Sequence, residues 1–146
     1  KAYGLGKHRH TPEIEQELAV LSGERELKVS FNPHLLPINR GILSTIYTQP
    51  VQEKSLNEIY ETYTNYYQDH PWVRILAPGH LPQTKQVRGT MFCDIGLVLD
   101  PRTNRLIIVS SIDNLCRGAS GQALANANLM FGFDITLGLN FSALTP

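Results

Sequence analysis

The segment His8-Arg9-His10-Thr11-Pro12-Glu13 sets two imidazoles and a carboxylate at the start of a helical pattern. Imidazole changes charge near neutral pH, so a histidine beside a carboxylate can be held in one orientation and poised to trade protons. His10 sits just outside the helix start with Glu13 about one turn away, which is an active-site arrangement in outline. The competing reading is a pair of solvated loop histidines, with Glu13 favouring the positive end of the helix dipole. His8-x-His10 also has a chelating spacing, but no third His, Cys or carboxylate follows at a ligand interval, and no metal is assigned. A second candidate is Gly118-Ala119-Ser120-Gly121, small residues that open a helix. Accessible backbone N–H groups there can receive a phosphate or a cofactor amide, and close helix packing explains the same residues equally well.

The elements that must carry these groups follow from periodicity. Thr11 suits an N-cap and Pro12 the first helical position, Ile14, Leu18 and Leu21 repeat at helical spacing, and Gly23 is a C-terminal stop. Leu27, Val29 and Phe31 alternate with Lys28 and Ser30, which predicts a half-buried strand. Pro33 and Pro37 bracket His34-Leu35-Leu36 outside regular structure. Ile42 to Tyr47 reads as a second strand. Ser55-x-x-Glu58 is a capping box opening a helix to about His70, whose stripe of Leu56, Ile59, Tyr60, Tyr63 and Tyr67 is core rather than a stacking platform. Val73 to Leu76 is a short strand and Leu81 to Lys85 a loop. Thr90 to Leu99 and Arg105 to Ile112 form a hairpin through Asp100-Pro101-Arg102-Thr103-Asn104. A last helix runs from Gly118 to about Phe131, and the tail at Leu137 to Phe141 is irregular. The sum is one α+β domain: a mixed, mostly antiparallel sheet with helices packed on one face.

With 146 residues and 42% hydrophobic composition, the chain can build a real core. Thirteen basic residues balance thirteen acidic ones, so there is no field to attract nucleic acid or an anionic membrane. No apolar run approaches a membrane span, and the first residues lack the apolar core of a signal peptide. A cytoplasmic protein is expected. Cys93 and Cys116 sit in apolar flanks and read as free buried thiols, without a visible activating base. Gly4-x-Gly6-Lys7 is not a P-loop, and no dinucleotide-binding glycine motif follows a strand.

Five blocks in order resemble the C-terminal part of the N-acetyl-gamma-glutamyl-phosphate reductase family. They are His8 to Leu18, Phe31-Asn32-Pro33-His34-Leu35-Leu36-Pro37, Asn39-Arg40-Gly41-Ile42-Leu43, Cys93-Asp94-Ile95-Gly96-Leu97, and Ile112-Asp113-Asn114-Leu115 running into Gly118-Ala119-Ser120-Gly121-Gln122-Ala123. The resemblance implies a fold like the C-terminal domain of glyceraldehyde-3-phosphate dehydrogenase, which carries substrate-binding residues and subunit contacts. It also implies NADPH-dependent reduction of N-acetyl-glutamyl 5-phosphate through a thioester on a cysteine. In that family the nucleotide-binding domain and the nucleophile lie upstream of the His-Arg-His block, and neither Cys93 nor Cys116 takes the nucleophile's place. The chain is thus expected to be inactive alone. The stretch from about residue 118 is expected to contact the NADP-binding domain, in a homodimer or homotetramer.

By the same resemblance, His10 is the acid/base and Glu13 its partner. His8, Arg40 and His34 are candidates for the substrate's phosphate or carboxylate, and Asn114, Gly118, Ala119 and Gln122 for the cofactor. Two alternatives remain at this stage. One is a related reductase acting on carrier-protein-linked aminoadipyl or glutamyl phosphate; the other is a catalytically inactive assembly module.

Overall fold

The computed structural model describes residues 1–23 and 26–144, which fall into two compact units, Lys1–Ile38 and Asn39–Pro146. In the first, a turn closed by the Lys7 amide on the Gly4 carbonyl feeds helix α1 (Thr11–Ser22). The helix begins one residue earlier than its sequence suggests. His10, not Thr11, is the capping residue, and no side chain caps the end. The first helical bond runs from the Ile14 amide to the His10 carbonyl at 3.0 Å, which places the helix start one residue earlier. Gly23 closes the helix at φ 72°, a left-handed position that glycine adopts without strain.

The strand expected over Leu27–Phe31 does not form. Its central amide, that of Val29, donates to Oε1 of Glu15 on α1 at 3.0 Å, and Lys28 Nζ lies 3.5 Å from Oε2 of the same carboxylate. A helix side chain has taken the place of a neighbouring strand, so the alternating pattern packs without a ladder. Ala2 and His34 form an isolated antiparallel bridge further along.

The second unit is built on a four-stranded sheet of order β1-β4-β3-β2, comprising β1 (Ile42–Thr48), β2 (Val73–Ile75), β3 (Cys93–Asp100) and β4 (Arg105–Ile112). The three longer strands run antiparallel, while β2 lies parallel to β3, so the sheet is mixed as expected. Helix α2 (Leu56–Tyr67) opens with the capping box, Ser55 Oγ accepting from the Glu58 amide and Glu58 Oε2 from the Ser55 amide. It ends at Tyr67 rather than His70. Its Ile59 packs on Ile95, Leu97 and Leu106, with Tyr60, Tyr63 and Tyr67 around them, so the tyrosine stripe is core. Residues on the reverse face alternate with these and include Leu43, Tyr47, Val98, Ile107 and Val109, of which Leu43 and Tyr47 are exposed.

A four-residue helix α3 (Thr84–Val87) occupies part of the expected loop. After β4 the chain makes one π-helical turn, Cys116–Ser120, before helix α4 (Gly121–Met130), so the last helix starts three residues late. Trp72, Met91, Ala125 and Leu139 form a second core around α4. The irregular tail is pinned by Asn128, whose Nδ2 donates to the carbonyls of Ile135 (3.1 Å) and Leu137 (2.9 Å). Among the described residues no helix is long and apolar enough to cross a membrane.

Candidate active site

The first unit gathers Tyr3, His8, His10 and Phe31. The half-buried His8 ring meets the other three edge-on, with centroids 5.3 Å from Tyr3, 4.9 Å from His10 and 5.1 Å from Phe31. The His10 amide donates to His8 Nδ1 at 3.2 Å. Nδ1 must then carry a lone pair, which puts the proton of neutral His8 on Nε2. His10 itself is exposed, and among the described residues neither of its ring nitrogens is bonded. No hydrogen bond or ion pair joins Glu13 to His10 among the described residues. The carboxylate that α1 turns inward is Glu15, which periodicity did not single out. His34 is exposed on the bridge to Ala2, its Nδ1 3.1 Å from the Asn32 carbonyl.

In the second unit Arg40, Asn114 and the Gly118 turn converge on a residue the sequence reading passed over, Asp113. Its carboxylate is fully buried. Oδ2 accepts from Arg40 Nε (3.1 Å), Arg40 Nη2 (2.6 Å) and the Gly89 amide (2.7 Å), while Oδ1 accepts from the amides of Leu115 (2.9 Å) and Cys116 (2.7 Å). Burial alone would raise its pKa, but the Arg40 guanidinium and the three amides outweigh it and hold the carboxyl at about 2. A signal was present: an aspartate directly after a strand is a turn former whose side chain can accept from the backbone amides two and three residues on.

Asn114 Oδ1 accepts from the Gly41 amide at 2.7 Å, which leaves its NH₂ as the free hydrogen-bonding end. Gly118 and Ala119 are exposed, and so is Gln122. The amides of this turn are less available than the sequence suggests. Those of Leu115 and Cys116 go to Asp113 Oδ1, Gly118 to the Asp113 carbonyl, Ser120 to the Leu115 carbonyl and Gly121 to the Cys116 carbonyl. An anion cradle of free amides is therefore not what this turn presents.

Cys93 and Cys116 are free thiols, and burial pushes both up from the ordinary thiol range. Arg117 partly opposes that shift at Cys93, and Asp113 adds to it at Cys116. Neither is an activated nucleophile. No group of three or more His, Cys, Asp or Glu that could hold a metal occurs among the described residues.

Residues 1–114 match the model of the semialdehyde dehydrogenase dimerisation domain. The chain belongs to that family. Across its full length it is similar to proteins named N-acetyl-gamma-glutamyl-phosphate reductase. It is 57% identical to that of Desulforudis audaxviator, 52% to that of Alkaliphilus metalliredigens and 54% to that of Pelobacter propionicus. Each match covers all of this chain and 42% of the relative, so the chain spans about two-fifths of the length of these reductases. As a semialdehyde dehydrogenase dimerisation domain, it has the α+β fold with a mixed sheet that its sequence predicts.

Proposed function

We propose that this chain is the substrate-side and assembly part of an NADPH-dependent reductase. The complete enzyme would convert N-acetyl-glutamyl 5-phosphate to N-acetyl-glutamate 5-semialdehyde and phosphate, in arginine biosynthesis. The observation that carries the reading is 57% identity over all 146 residues to a reductase of that name. The raised thiols of Cys93 and Cys116 support a nucleophile outside this chain. Attack of that cysteine's thiolate on the acyl carbon releases phosphate and leaves a thioester. Transfer of a hydride and a proton to the thioester then gives the aldehyde and regenerates the thiol.

In this scheme the exposed His10 imidazolium stabilises the thiolate and donates the proton to the developing oxyanion. Glu13, one turn on, supplies the balancing charge. His8 keeps Nε2–H to donate to the substrate's anionic groups, because its Nδ1 is committed to the His10 amide. Arg40 offers Nη1, since Nε and Nη2 are held by Asp113. His34, whose Nδ1–H is given to the Asn32 carbonyl, is a further candidate for the substrate's anionic groups. Asn114 fits a nicotinamide carboxamide, for its free NH₂ is a donor that such a carbonyl accepts, with Gly118, Ala119 and Gln122 beside it. NADPH supplies the hydride when bound.

The family's dimerising role and the exposed Leu43 and Tyr47 on the reverse sheet face support a homodimer or homotetramer joined through that face. Exposed Met130, Phe131 and Phe133, at the end of α4, support that stretch as the seat of the enzyme's NADP-binding domain. A cytoplasmic setting fits this biosynthetic role. The test is NADPH oxidation by the complete enzyme, offered the acetylated and the carrier-linked acyl phosphate in turn. Turnover on the acetylated substrate, with none from this chain alone, is expected. Preference for the carrier-linked substrate transfers the chain to the related reductases, and no turnover on either leaves it an assembly module.

A further inference from the structure

We propose that Asp113 is a positioning residue through which the candidate cofactor and anion groups act as one unit; this rests on the roles given above to Arg40 and Asn114. The carboxylate takes donors from three separate places: Arg40 before β1, Gly89 before β3, and the amides of Leu115 and Cys116 where the π-helical turn begins. A second tie runs alongside. Gly41, next to Arg40, donates to Asn114, next to Asp113, at 2.7 Å. Arg40 and Asn114 are thus anchored by two adjacent cross-links, and the Gly118 amide is held by the carbonyl of the same Asp113 at 3.0 Å. Displacing the guanidinium therefore disturbs the side chain assigned to the nicotinamide, and the reverse holds too.

Only a carboxylate can serve this junction. All five bonds to its two oxygens come from N–H donors, so an asparagine must turn its own NH₂ toward donors at one end. The second unit also provides a matched control. Asp94 is equally buried and accepts from Arg74 at 2.6 and 2.9 Å, yet this pair joins β2 to β3. Arg74 is also 3.5 Å from the Gln86 carbonyl in α3, and the pair holds no residue of the turn between β4 and α4. Asp94→Asn therefore measures what breaking a buried pair costs by itself.

The experiment compares Asp113→Asn, Arg40→Gln and Asp94→Asn in the complete enzyme. It reads the Kd for NADPH by fluorescence titration, the KM for acyl phosphate, kcat and Tm. Asp113→Asn is expected to weaken NADPH binding about tenfold or more, and Arg40→Gln about threefold, on top of any change in acyl-phosphate KM. Asp94→Asn should lower Tm while leaving the NADPH Kd within about twofold. Asp113→Asn that lowers Tm as Asp94→Asn does, with unchanged NADPH Kd, overturns the proposal. Should Asp113→Asn not fold, Arg40→Gln decides, since it keeps the carboxylate and its amide bonds; an unchanged NADPH Kd there is equally fatal. Wild-type enzyme that binds NADPH but does not reduce the acyl phosphate defeats the functional reading and leaves the Asp113 result standing. Wild-type enzyme that binds no NADPH defeats both.

Discussion

His10 is exposed at the start of α1 with its ring nitrogens unbonded among the described residues, so replacing it removes a proton donor and little structure. In the complete enzyme His10→Asn should lower kcat by about 10²–10⁴ at near-normal Tm, the usual range for a general acid/base. A loss under about threefold in steady-state assays would remove His10 from the mechanism. Asp113 is the opposite case, buried and bonded on both oxygens. Its pKa is depressed to about 2, below the ordinary aspartate value near 3.9 expected unfolded. The unfolded chain therefore binds its proton first as pH falls. The stability Asp113 contributes, about 2–3 kcal/mol, is fully present above pH ~4 and is lost between pH ~4 and ~2. Urea unfolding should show Asp113→Asn well below wild type at pH 7, with the gap narrowing across that window. A gap that stays constant to pH ~2 would mean that the carboxylate's charge is not what stabilises the junction.

At the scale of elements, two glycines with different duties mark the passage from β4 into α4: Gly118 in the π-helical turn and Gly121 at the first position of α4. A Cβ on Gly121 would stand 2.6 Å from the Cys116 carbonyl oxygen, backbone that cannot move aside without opening the π-helical turn. Gly121→Ala should cost about 1–3 kcal/mol, read as a lower urea midpoint. Gly118 has nothing closer than 3.7 Å to the same added atom. Gly118→Ala should leave the midpoint unchanged and, if the turn borders the cofactor, weaken NADPH binding. Equal midpoints for the two variants would show that the π-helical turn yields easily. The entry to strand β1 shows the same division of duties. The amide of Gly41, just before the strand, anchors Asn114, while Leu43 and Tyr47 on the strand face outward on the reverse of the sheet.

That outward face belongs to the scale of the whole molecule. Leu43 is 53% exposed and Tyr47 65%, in the family of a dimerisation domain. On the proposed reading, a second copy of the chain covers this surface. The double variant Leu43→Lys, Tyr47→Glu should shift the complete enzyme to smaller species in sedimentation velocity while leaving its Tm within a few degrees. An unchanged mass would place the subunit contact elsewhere.

Much of this was legible in local sequence. The capping box, the helical stripe of tyrosines, the hairpin turn through Asp100–Asn104 and the glycine stop at Gly23 depend on neighbours a few residues apart, and each formed where expected. The hairpin's first strand, however, starts at Cys93 rather than Thr90. The groups proposed for chemistry, His8, His10, Arg40 and Asn114, rest on residue type and on the family resemblance. Partners distant in the chain were not legible. Glu15 replaces a strand for Val29 from fourteen residues away, and Asp113 reaches back seventy-three residues to Arg40. Periodicity reports which face a residue takes, because that is set by local backbone geometry. It cannot report which buried donor meets which acceptor, because that is settled only when the sheet and its turns close around them. The sequence by itself determined the class of fold, the main elements and the family. Only the tertiary structure decided that Arg40 and the turn bearing Asn114 share one carboxylate.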